Sequence, residues 1–329
     1  MTMSRRLLIA AVSSVAMLGM LPAGAGAADY PTKPIRVVVP VPPGGPTDII
    51  ARLVAEGLQK KWGQPVVVEN KPGASGIIAN EDVAAAAADG HTVLVGNVST
   101  NAINVAAYPD RKAAASLIPV TNLIQVPGVF VGNSTVPANS AKELIEGMRS
   151  GAIKSLKYGS PGIGTYPQLD ALMLFKKEGV KATHIPYKGA AQILPALLAN
   201  EIQVEFLNES TAIGQIKDGK LKPYAVTWTE RLPELADVPT MTELGYAGIG
   251  TSAWHAMFVT GGTPQAVVDK LHGGVVEVLA DPDIRQKTAN QYLKLVPSKS
   301  AADFAGFVKA ETAKWGTVLA ENEIKLPGQ

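Results

Sequence analysis

The chain has no cysteine among its 329 residues, so disulfides and thiolate chemistry are excluded. Two phosphate fingerprints are also missing: neither Gly-x-x-x-x-Gly-Lys-Ser/Thr nor Gly-x-Gly-x-x-Gly occurs. Gly214 to Lys220 imitates the first as far as its lysine, but Leu221 stands where the magnesium-binding hydroxyl belongs. A helix ending at Gly219 accounts for that stretch. The four histidines, His91, His184, His255 and His272, lack metal-ligand spacing, and no cofactor or metal is expected. An excess of charge is missing as well. Lys and Arg number 30 against 28 Asp and Glu, and removing Arg5 and Arg6 with a leader makes the counts equal. Balanced, dispersed charge gives no footing for nucleic acid or an anionic membrane.

The leader itself is legible. Arg5-Arg6 precedes an apolar run from Leu7 to Leu21, and Ala25-x-Ala27 fits a signal-peptidase site. Residues 1–27 are therefore expected to be a signal peptide, and the protein to be exported to the periplasm. Past the leader no apolar run reaches the roughly 18–20 residues of a membrane span. About three hundred residues remain, more than one typical domain, so two lobes are expected.

One stretch organises the rest. Ile35-Arg36-Val37-Val38-Val39 reads as a strand buried on both faces, and Ile49/Ile50, Leu53/Val54 and Leu58 recur at helical spacing. Between them Pro42-Pro43-Gly44-Gly45-Pro46-Thr47-Asp48 forms a tight loop. Pro46 suits the first helical turn, where its missing N–H is not needed. The free N–H groups of that turn, beside the positive helix end, make an anion site. Asp48 satisfies the same helix end by itself or accepts from a ligand hydroxyl or water, with Arg52 four residues on to pair with it.

The pattern then repeats. Pro65 to Glu69 and Thr92 to Gly96 read as further strands, leaving through Asn70 to Gly76 and through Asn97-Val98-Ser99-Thr100. Parallel α/β sheets bind ligands beyond such carboxyl ends. Val126 to Gly132 reads as a strand leaving this lobe, and Ser140 to Glu143 as a capping box. A second loop of the same design is Ser160-Pro161-Gly162-Ile163-Gly164-Thr165-Tyr166-Pro167-Gln168, in which Thr165 and Gln168 serve either as a capping box or at a ligand. Thr183 to Ala191 is another strand exit. Pro195 requires the next helix to begin at Ala191 or later. Trp254 to Thr260 reads as a strand returning to the first lobe, and closure is expected about 126–131 and 254–258.

These motifs, in this order, resemble the extracytoplasmic solute-binding receptors of tripartite tricarboxylate transporters, the Bug family. The carriers are Pro42 to Gly45 with Asp48 and Ala51-Arg52, then Asn70 to Gly76, Tyr158 to Gly164, Ile185 to Gly189, and Asp237 to Thr240 before Glu243-Leu244-Gly245-Tyr246. The resemblance implies a two-lobed Venus-flytrap α/β fold, each lobe a mostly parallel sheet flanked by helices, with two crossover strands. Residues 28–125 and 254–329 would form one lobe and 126–253 the other. It implies a small organic carboxylate between the lobes, integral-membrane transporter subunits as partners, and a monomer. Two anion loops without an arginine point to a dicarboxylate. The residues expected at the ligand are Val41, Pro43, Gly44, Gly45, Thr47, Asp48, Ser75, Ser99, Thr100, Ser160, Gly162, Gly164, Thr165, Tyr166, Gln168, Tyr187, Lys188, Gly189, Ala190 and Gln203. Three departures bear on specificity: Val41 where the family usually has an aromatic, Tyr166-Pro167-Gln168 where it has x-x-His, and Gln203 where it has aspartate.

Two other readings stand beside this one. A periplasmic sensor of the same fold would signal instead of transport, and deletion would then abolish ligand-dependent transcription rather than uptake. A hydrolase would need a nucleophile elbow, but Tyr158 occupies the first glycine position before Ser160.

Overall fold

The computed structural model describes residues 29–326, and the expected signal peptide lies outside them. Eleven strands occur among these residues: β1 Ile35–Val39, β2 Val66–Asn70, β3 Thr92–Asn97, β4 Ile118–Val126, β5 Gly128–Asn133, β6 Lys157–Ser160, β7 Thr183–Pro186, β8 Val204–Asn208, β9 Leu221–Val226, β10 Ala253–Val259 and β11 Lys294–Leu295. They form a six-stranded sheet of order β11-β4-β10-β3-β1-β2 and a five-stranded sheet of order β7-β6-β8-β5-β9. With helices packed on both, this is the two-lobed periplasmic-binding-protein fold. The chain passes from the first sheet to the second between Val126 and Gly128 and is back in the first at Ala253.

Each sheet contains a parallel trio, β3-β1-β2 or β8-β6-β7. The crossover strands and their neighbours pair antiparallel. The trios carry the Gly-rich exits, because parallel strands all end on one edge. β1 shows why the sequence was readable: Ile35, Val37, Val38 and Val39 are at most 1 % exposed, as a strand covered on both faces requires.

The helix Pro46–Trp62 buries Ile50, Ala51, Val54 and Leu58 against the first sheet. It ends at Gly63, whose φ of 69° supplies the left-handed closing residue. Ser140 caps its helix through its side-chain oxygen, as expected, and Ser300 does the same for the C-terminal helix. Pro195 sits in the first turn of the helix Ile193–Leu198. On β10 alternate residues face opposite ways. Trp254 and Phe258 pack with Phe304 of the C-terminal helix Ala301–Glu321. Met257 and Val259 join the core beneath Pro46–Trp62, and His255 shares their face.

Candidate functional site

A cavity of about 600 Å³ opens where the two sets of strand exits meet. The first sheet contributes Val41, Pro43, Gly45 and Thr47 from the first loop, Ser75 from the second exit, and Ser99 and Thr100 after β3. The second sheet contributes Gly162, Thr165 and Tyr166 from its own Gly loop, then Tyr187, Lys188, Gly189 and Ala190 after β7. Lys188, at the exposed rim, is the only lining residue among those described with a Lys, Arg, Asp or Glu side chain. The loops also touch directly across the cavity. Ser75 Oγ donates to the Ile163 carbonyl at 2.8 Å, and the Tyr166 N–H donates to Ser99 Oγ at 3.2 Å.

The first loop presents donors. The helical ladder begins with Ile49 N–H to the Gly45 carbonyl at 3.0 Å, so the N–H groups of Thr47 and Asp48 lie outside it. Pro46 brings no N–H. The Thr47 and Asp48 donors, at the positive end of the helix, suit a carboxylate.

Six expected residues do not line the cavity, and each has a local reason. Gly44 gives its N–H to Asp48 Oδ2 at 3.0 Å. Asp48 is 3 % exposed and holds that N–H together with Arg52 and Asn70. Burial pushes its pKa up, but these hydrogen bonds outweigh burial and leave it below the usual carboxylate range. Gly164 gives its N–H to Gln168 Oε1 at 2.6 Å, which occupies both residues. Ser160 is fully buried, its hydroxyl bonded to the Gly162 carbonyl and to His184 Nε2 at 2.7 Å. Gln203 lies at the opposite end of β8, bonded to Lys157 and Asn200. Thr165 lines the cavity but does not cap through its side chain; its hydroxyl donates to the Gly162 carbonyl at 2.7 Å.

Three polar residues outside the expected ligand set also line it: Asn97, Asn208 and His255. Asn208 ends β8 and accepts from the Tyr166 hydroxyl at 2.8 Å. His255 stands on β10, 5 % exposed, with Nδ1 2.9 Å from Thr47 Oγ1. Burial lowers its pKa to about 3, so the ring is neutral at physiological pH. Its signal was a lone histidine within the apolar run Ala253 to Val259.

A second groove, about 340 Å³, is lined by Glu56, Lys60, Lys61, Glu277 and Lys287. Lys61 pairs with Glu277 and Lys287 with Glu56.

Comparison with known proteins agrees with this geometry. The family described as tripartite tricarboxylate transporter family receptor matches residues 50–324. A UPF0065 protein of Bordetella pertussis is 34 % identical over 317 residues, 95 % of this chain and 97 % of that protein. MatC from Rhodopseudomonas palustris with bound malate superposes with a TM-score of 0.79 at 30 % identity, over 88 % of this chain and 100 % of that one. Another R. palustris protein, solved with adipate, gives 0.82 at 31 % identity, over 90 % and 99 %.

Proposed function

The chain belongs to the tripartite tricarboxylate transporter receptor family, and on that premise we propose that it captures a small dicarboxylate reversibly in the periplasm and delivers it unchanged to integral-membrane transporter subunits. The observation that carries this reading is the pair of N–H groups on Thr47 and Asp48, at the positive end of a 17-residue helix. Thr47 lines the cavity, where among the described residues the only Lys, Arg, Asp or Glu side chain is that of Lys188 at the rim. A carboxylate there meets backbone donors and the helix dipole. Malate and adipate, held by two similar proteins, each carry two carboxylates, which supports a second acidic end. That end would lie toward Gly162, Thr165 and Lys188. The cavity leaves room for bridging waters to complete the shells. A ligand that touches both lobes favours their closed arrangement by its differential affinity.

The test is a thermal-shift screen of mono- and dicarboxylates after unfolding and refolding have removed any carried ligand. At about a hundredfold excess over Kd, stabilisation should be roughly 2.7 kcal/mol. A shift with a neutral sugar or a metal, and none with any carboxylate, would overturn the proposal. Calorimetry of the best dicarboxylate against its monoamide tests the second end. The amide should bind about ten- to a hundredfold more weakly, and equal affinities would reduce the site to one carboxylate.

A further inference from the structure

Among the described residues, seven buried side-chain polar atoms have no hydrogen-bond partner: His91 Nδ1, Asn104 Oδ1, Glu205 Oε2, Glu209 Oε2, Gln215 Oε1, Trp315 Nε1 and His255 Nε2. Only His255 belongs to a residue lining the cleft. Folded proteins seldom leave such an atom unmatched without a use for it.

The neighbours of His255 favour one of its two neutral tautomers. Asn97 Oδ1 accepts from the backbone N–H groups of Ser99 at 3.0 Å and Thr100 at 3.2 Å. That turns the Asn97 amide nitrogen toward Thr47 Oγ1, 3.3 Å away. Thr47 Oγ1 accepts there, and of its two partners only His255 Nδ1, 2.9 Å away, can take its own proton. A neutral imidazole has one N–H, and with Nδ1 accepting, the proton sits on Nε2. Asn97, Thr47 and His255 thus form a directed chain that ends in an unused donor beside the first anion loop.

We propose that His255 is a specificity-determining residue whose Nε2–H donates to an oxygen of the bound carboxylate, with Thr47 and Asn97 holding the ring in that tautomer. The inference deepens the functional reading above and rests on it. His255 then adds a side-chain donor to the backbone donors of Thr47 and Asp48. Such a neutral donor joins the carboxylate without bringing a second charge that must itself be desolvated.

Three measurements test it. Imidazole ¹⁵N spectra of ligand-free protein at pH 7 should show His255 protonated at Nε2; protonation at Nδ1 overturns the proposal. Saturation with malate or adipate, whichever gives the larger thermal shift, should move the Nε2 resonance, and an unmoved resonance counts against it. In calorimetry with the same acid, His255→Asn retains a group at the Nδ1 position for Thr47 but lacks the Nε2 donor. It should bind about ten- to a hundredfold more weakly. His255→Gln carries an amide nitrogen near the Nε2 position and should restore most of that loss, which a purely packing role would not produce. Wild-type affinity in His255→Asn overturns this inference alone. Wild-type protein that binds no carboxylate of the screen overturns it together with the functional reading.

Discussion

The two Gly loops are built to one plan and offer different things. In the first, Gly44 precedes the N-cap Gly45, and the third helical residue, Asp48, grips the Gly44 N–H. In the second, Gly164 precedes the N-cap Thr165, and the third helical residue, Gln168, grips the Gly164 N–H. The first loop has proline as its first helical residue and keeps two consecutive donors, those of Thr47 and Asp48. The second has proline in second place, at Pro167, and the Tyr166 donor before it is engaged by Ser99. A shift of one residue in the proline thus separates a two-donor anchor from a loop whose N–H groups mostly serve itself and the opposite lobe. The grammar of strand, Gly loop and helix predicts the joint; proline placement and the neighbours decide how many donors remain.

The largest effect expected from this comparison is at the anchoring of the second helix, which has no counterpart in the first. Asp170, fully buried, accepts from the N–H groups of Gly250 at 3.1 Å and Thr251 at 2.8 Å and from the Thr251 hydroxyl. Asp170→Ala strands three donors and should destabilise the protein by at least about 3 kcal/mol, read by urea denaturation. Burial raises its pKa to about 6, above the unfolded value near 3.9. This group's contribution is therefore full below about pH 4 and is lost as pH rises through 6. Asp170→Asn should remove that slope; an unchanged pH profile of stability would refute the assignment.

Next come the glycines. Gly164 has φ +80°, and a Cβ there would stand 2.9 Å from Leu326 Cδ1; Gly44 has φ +95° and open space. Gly164→Val should cost about 2–4 kcal/mol, combining backbone strain with displacement of Leu326. Gly44→Val should cost about 1–3 kcal/mol from strain alone. Equal losses on denaturation would remove the distinction.

The smallest effects lie in the two gripping side chains. Asp48→Asn should destabilise by about 1–3 kcal/mol, because charge-assisted bonds to Arg52 and Gly44 are weakened. Its lowered pKa makes the sign opposite to that of Asp170: the contribution is present above the normal carboxylate range and fades as pH falls through the folded pKa. Gln168→Ala loses a neutral bond, about 0.5–1.5 kcal/mol, and should show no such pH dependence. A pH-independent penalty for Asp48→Asn would show that charge is not what holds the first loop.

Much of the fold could be read from residues close together in the chain. The β-branched run of β1, the serine caps and Pro195 are local signals, and the loops followed from strand exits of recognisable composition. The site was legible only in those loops. Asp48, Gln168 and Ser160 were expected at the ligand because polar residues in such loops are good candidates, yet each turns to a partner within a few residues or in the next strand. His255 and Asn208 reach the cleft from strands paired across long chain separations, which spacing cannot reveal. His255 in particular looks like any packed strand histidine until Thr47, 208 residues earlier, appears beside it.

The order of strands in the first sheet also fixes an order in time. Among the described residues β4 pairs only with β10 and β11, whereas the strands of the second sheet all lie between Gly128 and Val226. A growing chain can therefore complete the later-starting sheet first, while β4 waits more than a hundred residues for a neighbour. Closing so long a loop slows pairing. A nascent or truncated chain that stops short of Ala253 displays β4 with both edges bare, and such a strand is a template for pairing with another copy.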